Sequence, residues 1–212
     1  MKVFKIPEAT VMRLSVYSRH LTQLIGEGVV NVSSGEIAKG VGVSSAQVRK
    51  DLAYFGEFGT RGVGYNVQEL YSHIMRILGL NNCWNVMIVG AGKLGSALAI
   101  YKGFADRGFK VRALLDTDPD KIGTKLAEDL VVEPITVLEE RVKDENISIG
   151  IVTVPGDTAQ EVTDKLVEAG VGALLNFSPR VLRVPESVIL RNVDLSVNLE
   201  LLSFYLSYGT AR

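Results

Sequence analysis

An apolar strand that runs straight into a glycine-spaced turn constrains this chain more than any other feature. Val86, Met87, Ile88 and Val89 lead into Gly90-Ala91-Gly92-Lys93-Leu94-Gly95. A helical stretch, Leu94 to Arg107, follows at once, and then a second strand, Val111 to Leu115, that ends in Asp116. Gly90 allows the tight turn, Gly92 lets a pyrophosphate approach the backbone, and Gly95 lets helix and strand pack closely. The start of the helix, with Lys93 and Leu94, offers unpaired N–H groups and a positive dipole to phosphates. Asp116 stands 21 residues after Gly95, where a carboxylate can accept hydrogen bonds from an adenosine ribose. Strand, glycines, helix, strand and acid in this order are specific, whereas the glycines alone are not. The plain alternative is a glycine-rich turn in an α/β domain that binds nothing.

Strands alternate with helices beyond Asp116. Val131-Val132, Ile149 to Val154 and Val171 to Leu175 are apolar and rich in β-branched residues, as buried parallel strands should be. Helices are expected at about residues 134–144 and 158–169. Such alternation predicts a doubly wound sheet whose ligands sit beyond the carboxyl ends of the strands. Thr153, Val154 and Pro155, and then Asn176, Phe177, Ser178 and Pro179, follow strands and face that crevice. Phe177 suits either a stack on a nicotinamide or a place in the core. Asp116, Asp118 and Asp120 make the ribose end acidic, and no Arg directly follows Asp116, which favours NAD(H) over NADP(H).

About 84 residues precede the glycine motif, and they do not resemble a dehydrogenase. Pro7 and Glu8 suit the first turn of a helix, and Val11, Leu14, Leu21, Leu24 and Ile25 carry a helical period to about Glu27. After an extended piece, Val29 to Val32, Ser33-x-x-Glu36 and Ser44-x-x-Gln47 have capping-box spacing. Two short helices joined by a glycine-containing turn, Gly42-Val43-Ser44, make a helix-turn-helix pattern. On the second of them, which runs to about Phe55, Val48, Leu52 and Phe55 share a core face. Ala46, Arg49, Lys50 and Ala53 point the other way, flanked by Gln47 and Tyr54. Arg can fork onto guanine, Gln can pair with adenine, Ala can touch a thymine methyl and Lys can meet phosphate. A solvated helix face is the plain alternative.

Residues 56–65 hold four glycines among apolar and aromatic residues, which predicts a β-hairpin with its tip at Thr60-Arg61-Gly62. A hairpin after a recognition helix makes a winged helix, and Arg61 is then placed to enter a minor groove. Ser44, Ser45 and Gly62 complete the candidate DNA-contact set. Asn66-x-x-Glu69 caps a further helix carrying Leu70, Ile74, Ile77 and Leu78, which leads to a boundary at Asn81-Asn82. Charge agrees with two halves of different character: residues 1–85 have a net charge of +3 and residues 86–212 of −4.

Cys83 is the only cysteine, so no internal disulfide forms. His20 and His73 lie far apart, so no metal site is expected. The start of the chain has no long apolar core of a signal peptide, and no run of 18 apolar residues occurs. A cytoplasmic protein with no membrane partner is expected.

The strings Gln47-Val-Arg-Lys-Asp-Leu-Ala-Tyr-Phe-Gly56 and Gly59-Thr-Arg-Gly-Val-Gly-Tyr65 closely resemble the bacterial redox-sensing repressor family Rex. Gly90-Ala-Gly-Lys-Leu-Gly-Ser-Ala-Leu-Ala99, Thr153-Val-Pro155 and Asn176-Phe-Ser-Pro179 continue the resemblance along essentially the whole chain. It implies a homodimeric transcriptional repressor that binds palindromic operator DNA, senses the NADH/NAD⁺ ratio and leaves DNA when NADH binds. It also implies a C-terminal helix, Asn198 to about Ser207, exchanged between subunits, and a switch network at Arg19, Tyr101 and Asp194. Where many members have Phe-Asp-Val-Asp, this chain has Leu115-Asp-Thr-Asp118.

The expected fold class is therefore α/β: a winged-helix (helix-turn-helix) DNA-binding domain at residues 1–80, a doubly wound Rossmann domain at 81–195 and an exchanged helix at 196–212. Catalysis is not expected, because residues 86–212 contain no His and no appended substrate domain. An NAD-dependent oxidoreductase is the alternative reading. A CoA-binding module is a third, disfavoured because CoA's 3′-phosphate would meet the acidic cluster.

Overall fold

The computed structural model describes residues 6–60 and 62–209. The chain divides between Asn82 and Cys83 into two units, and each forms its own core.

The first unit is built on helices. α1 (Glu8–Gly26) carries no Asx or Ser cap; Pro7 is its N-cap rather than its first helical residue. Leu14, Tyr17 and Leu21 are buried on its inner face, whereas Val11, part of the expected apolar stripe, is exposed. The polar Thr10 and Ser18 are buried beside them. β1 (Asn31–Val32) precedes α2 (Ser34–Val41). The capping box there is complete: Glu36 N–H donates to Ser33 Oγ and Ser33 N–H donates to Glu36 Oε2. Gly42 ends α2 in the left-handed region, at φ 73°, where glycine bears no Cβ penalty. α3 (Ser45–Ala53) is capped by Ser44 Oγ, but the second capping box closes on one side only, because the Gln47 amide turns to Asp51 instead. β2 (Tyr65–Asn66) and α4 (Val67–Ile77) complete the unit. Its core joins Leu14, Leu21, Ile37, Val48, Leu52, Leu70 and Ile74.

The expected hairpin over residues 56–65 is reduced to one bridge, Thr60 to Gly64. The ladder partner of Tyr65-Asn66 is β1, antiparallel, with Asn31 opposite Asn66 and Val32 opposite Tyr65. Gly64, at φ 96°, is pressed against the Val32 backbone, where a Cβ would overlap its carbonyl. Pairing to β1 therefore takes the strand residues, and the glycines leave a tight tip instead of two long arms. Arg61 at that tip lies outside the described residues.

The second unit is a seven-stranded sheet. β3 (Trp84–Val89), β4 (Phe109–Asp116), β5 (Lys125–Ala127), β6 (Leu130–Pro134), β7 (Ile149–Val152), β8 (Ala173–Asn176) and β9 (Ile189–Asn192) take the order β5-β6-β4-β3-β7-β8-β9. All neighbours are parallel except the β5–β6 pair. Sequence periodicity missed β5 and β9, which are short edge strands. The order reverses between β3 and β7, and this is the point where doubly wound sheets bind ligands.

The helix after the glycines is broken rather than continuous to Arg107. α5 (Lys93–Ala99) stops at Ile100, and α6 (Lys102–Ala105) restarts after Tyr101, whose backbone is extended. The Tyr101 ring folds over Gly103, where a Cβ would strike it, and meets Phe104 edge-on at 5.3 Å. α7 (Leu138–Asp144) and α8 (Ala159–Glu168) cover one face of the sheet through Leu138, Val142, Val162 and Leu166. α9 (Leu195–Tyr208) begins three residues before the expected Asn198, and every described residue of it is exposed.

Candidate functional site

At the switch point the loop after β3 is shaped by two close backbone approaches. Gly90, at φ 108°, packs on the Thr153 backbone, and a Cβ on Gly95 would overlap the Gly90 carbonyl oxygen. Gly92 has no neighbour within 4 Å of where its Cβ would stand. Two glycines are thus needed by packing, and the third leaves open space where a ligand backbone or phosphate can come close. Ala91 is buried in the loop, while Lys93 and Leu94 are exposed at the start of α5.

Thr153, just past β7, closes the loop from the other side. Its N–H donates to Val89 O at 2.9 Å, and its hydroxyl donates to Gly90 O at 2.8 Å. Val154 is half-buried and Pro155 exposed beyond it. After β8, the buried Asn176 builds the next loop: its amide accepts from Ser178 N–H and donates to Arg180 O and Asn192 Oδ1. Phe177 is half-buried against the apolar cluster of Val86, Ile88 and Ile151, and Pro179 is exposed. The Ser178 hydroxyl is buried without a hydrogen-bond partner among the described residues. A buried polar atom of that kind is costly unless something else satisfies it.

Asp116 ends β4 with its side chain bonded inside the protein. Its carboxylate is 8% exposed and accepts four hydrogen bonds inside the protein. Oδ2 takes Ala91 N–H at 2.6 Å and Lys121 Nζ at 3.1 Å; Oδ1 takes Thr117 N–H at 2.8 Å and Asp118 N–H at 2.9 Å. These bonds use most of the acceptor capacity of a carboxylate and make Asp116 part of the frame of the loop. Burial pushes the carboxyl up, but the Asp118 N–H, Lys121 and the Ala91 N–H outweigh it and hold it below the usual range. At this end Asp120 is exposed and Asp118 half-buried, with Lys121 bridging Asp118 at 3.3 Å. Lys121 also moderates the acidity expected from Asp116, Asp118 and Asp120.

In the first unit the outward face of α3 is as expected. Ala46, Arg49, Lys50 and Ala53 are exposed, with Tyr54 beside them and Ser44 and Ser45 at the start. Arg49 Nη1 donates to Ser34 Oγ at 2.9 Å. It lies in a groove of about 550 Å3 that runs from Ser33 and Ser34 past Ala53 to Phe58, Gly62 and Tyr65. Gln47 is half-buried, not a free flanking side chain.

Sequence reasoning missed the group behind that face. Asp51 is fully buried and bonded to Arg13, Tyr17, Thr10 and Gln47. Burial pushes its carboxyl up, but Arg13, Tyr17, Gln47 and Thr10 together hold it at about 2. The same contacts raise the Arg13 guanidinium, with the Asp51 hydrogen bond the main cause. The signal was present: Asp51 is three residues after Val48, on the flank of an apolar face, and Arg13 and Tyr17 share a face of α1.

Of the implied switch residues, Arg19 is exposed on α1 and Tyr101 is exposed between α5 and α6 rather than on a helix. Asp194 is the N-cap of α9, accepting from Ser196 N–H at 2.9 Å and Ser196 Oγ at 2.6 Å. No hydrogen bond joins Tyr101 to Asp194 in the described residues. Those residues also hold no group of three or more metal-ligating side chains, and no helix among them is long and apolar enough to cross a membrane.

Two family models match this chain: a putative DNA-binding protein N-terminus over residues 5–53 and a CoA binding domain over residues 81–180. The redox-sensing transcriptional repressor Rex of Syntrophomonas wolfei is 67% identical over 207 residues, covering 98% of both chains. The Rex repressor of Streptomyces coelicolor is 52% identical over 200 residues, covering 94% of this chain and 77% of its own. Among solved structures, RSP in complex with β-NAD+ and operator DNA is similar at a TM-score of 0.91 and 41% identity, over 95% of this chain and 93% of that one. RSP in complex with β-NADH is similar at 0.87 and 39%, over 96% and 95%. Identity at this level along nearly the whole chain, joined to a helix-turn-helix unit and a glycine-loop sheet, places the chain in the Rex family of redox-sensing transcriptional repressors.

Proposed function

We propose that the chain is a homodimeric repressor that grips operator DNA with its first unit, binds NAD(H) with its second and leaves DNA when NADH binds. The observation that carries this reading is the pairing, in one chain, of the exposed Ala46-Arg49-Lys50-Ala53 face with the open Gly92 loop. RSP, similar over nearly its full length, has been solved with NAD+ and operator DNA together and with NADH.

The nucleotide fits what the chain offers. The space over Gly92 suits a pyrophosphate, and the orphaned Ser178 hydroxyl has a donor and acceptor to give in the loop after β8. Asp116 shapes the loop through Ala91, while the half-buried Asp118 accepts from the ribose and disfavours a 2′-phosphate. Thr153, Val154, Pro155, Phe177 and Pro179 form the nicotinamide end at the carboxyl ends of β7 and β8. The bound dinucleotide supplies a ring that is flat and cationic when oxidised and neutral when reduced. On the DNA side, Arg49 reads a base, Lys50 meets phosphate and Arg61 enters the minor groove. Arg19, Tyr101 and Asp194 are the groups that change partners between states.

Exposed apolar surface supports the dimer. α9 presents Leu199, Leu202, Phe204 and Leu206 to solvent and covers none of its own sheet. An apolar cleft of about 270 Å3 stands open over β7, β8 and β9, lined by Phe104, Phe109, Ile149, Ile151 and Ile189. Surfaces of this kind call for a partner, and a second copy offers both halves.

The oxidoreductase reading differs in one measurable way: an enzyme consumes NADH on a substrate, whereas a sensor binds it and returns it. The test is a gel shift on a palindromic, A·T-flanked duplex with NADH titrated in. Release by NADH and not by NAD⁺ is expected. A complex indifferent to NADH removes the sensor reading.

A further inference from the structure

Behind the exposed face of α3, Asp51 accepts five hydrogen bonds. Oδ1 takes Thr10 Oγ1 at 3.0 Å, Arg13 Nη2 at 2.7 Å and Gln47 Nε2 at 2.9 Å; Oδ2 takes Arg13 Nε at 2.6 Å and Tyr17 OH at 2.7 Å. Three of these donor side chains come from α1 and one from the first turn of α3. A buried ion pair gives little net stability, because desolvation offsets its attraction. What this arrangement does provide is orientation. The Arg13 fork fixes the carboxylate in a plane, and the carboxylate fixes Gln47.

A free glutamine can rotate its amide and present a donor or an acceptor with equal ease. Gln47 cannot. An acceptor-only carboxylate holds Nε2, since turning the amide would set oxygen against oxygen. Oε1 is left facing away from that bond and takes no hydrogen bond among the described residues. In the major groove the donors that such an acceptor can meet are the amino groups of adenine and cytosine.

We propose that Asp51 is a positioning residue for base recognition: by holding the Gln47 amide through Nε2, it makes Gln47 Oε1 a fixed acceptor for an amino-bearing base in the major groove. The inference rests on α3 being the recognition helix. It assigns Gln47 more than a flanking contact, and it gives the buried Asp51 and its partner Arg13 a place in sequence discrimination.

The experiment is competition anisotropy of the full-length dimer. The duplex is one that the wild type selects from a random-sequence library, together with every single base-pair change in its half-site. The variants are Gln47→Met, Asp51→Asn, Asp51→Asn with Arg13→Gln, Gln47→Met with Asp51→Asn, and Lys50→Ala. At one half-site position the wild type should favour adenine or cytosine over guanine or thymine on the contacted strand by about tenfold, the scale of one well-made hydrogen bond. Gln47→Met should bring that preference to near one. Asp51→Asn should erase the same preference and no other, and combining the two should change it no further. Should Asp51→Asn fail to fold, as read by its NADH affinity and melting curve, the Asp51→Asn/Arg13→Gln pair avoids the unpaired guanidinium and carries the same expectation. A preference intact in Gln47→Met, or an even loss across all duplexes in the Asp51 variants, overturns the proposal. Lys50→Ala marks the underlying reading: it should weaken every duplex with the profile kept. If Lys50→Ala and Gln47→Met both leave DNA binding untouched, the recognition-helix assignment itself fails.

Discussion

The Asp116 carboxylate accepts a hydrogen bond from the Ala91 N–H at 2.6 Å, tying the end of β4 to the middle of the glycine loop. The acid is thus part of the loop's frame, and in the proposed reading the ribose meets Asp118. Asp118→Ala should weaken NADH binding by roughly 1–3 kcal/mol, the scale of a hydrogen bond to a charged group, with the melting temperature kept. Asp116→Ala should weaken NADH binding and also lower the melting temperature. Calorimetry with paired melting curves separates the two. An Asp118→Ala protein with wild-type affinity would return the ribose contact to another residue.

The glycines divide by what surrounds them. Gly95→Ala drives a methyl into the Gly90 carbonyl and the Thr153 hydroxyl, and such overpacking costs about 1–3 kcal/mol. Gly92→Ala meets nothing in the protein and should leave stability unchanged while removing much of the NADH affinity. Denaturant midpoints set against NADH titrations check both. A Gly92→Ala protein that binds NADH normally would place the pyrophosphate elsewhere.

How much of this was legible in the sequence follows from the range of each interaction. Ser33-x-x-Glu36 and Gly90-x-Gly92-x-x-Gly95 act over a few residues, and both appear where spacing put them. The outward set on α3 follows from helical period alone. Long-range partnerships were invisible. Gly64 lies against Val32, so the strand after the wing tip pairs with β1 rather than forming a long hairpin. Arg13 and Asp51 are 38 residues apart; each stands beside an apolar helix face, but that does not name its partner. Two short-range contacts were also missed, because they depend on where a side chain turns rather than on spacing: Lys121 reaches back to Asp116, and the Tyr101 ring folds over Gly103 where the helix breaks.

DNA contacts should separate by kind. Lys50→Ala should weaken all duplexes alike and lower the slope of log affinity against log salt by about one. Arg49→Ala should instead relax sequence choice, since its guanidinium sits at the edge of the wing groove. Salt-dependent anisotropy on selected and scrambled duplexes distinguishes them. Equal salt slopes in wild type and Lys50→Ala would take Lys50 off the phosphates.

Asp51 gives unit 1 a pH signature. Its carboxyl is held at about 2 against an ordinary value of 3.8. A depressed carboxyl stabilises the fold above its ordinary value, and that stability drains as pH falls toward the folded value. The difference corresponds to about 2 kcal/mol. Urea midpoints of wild type and Asp51→Asn should therefore converge between about pH 5 and pH 2. A gap that stays constant over that interval would mean that the carboxylate is not held in this way.

The central claim is that NADH and operator DNA oppose each other on one protein. Linkage makes that claim quantitative: if NADH weakens operator binding by some factor, operator must weaken NADH binding by the same factor. A coupling of about 1–3 kcal/mol, or roughly 5–150-fold, is the usual scale. The direct measurement is NADH affinity by calorimetry with and without saturating operator duplex, set beside operator affinity with and without saturating NADH. The account predicts two equal factors well above one, both reduced in Asp194→Ala. Two factors of one would contradict it.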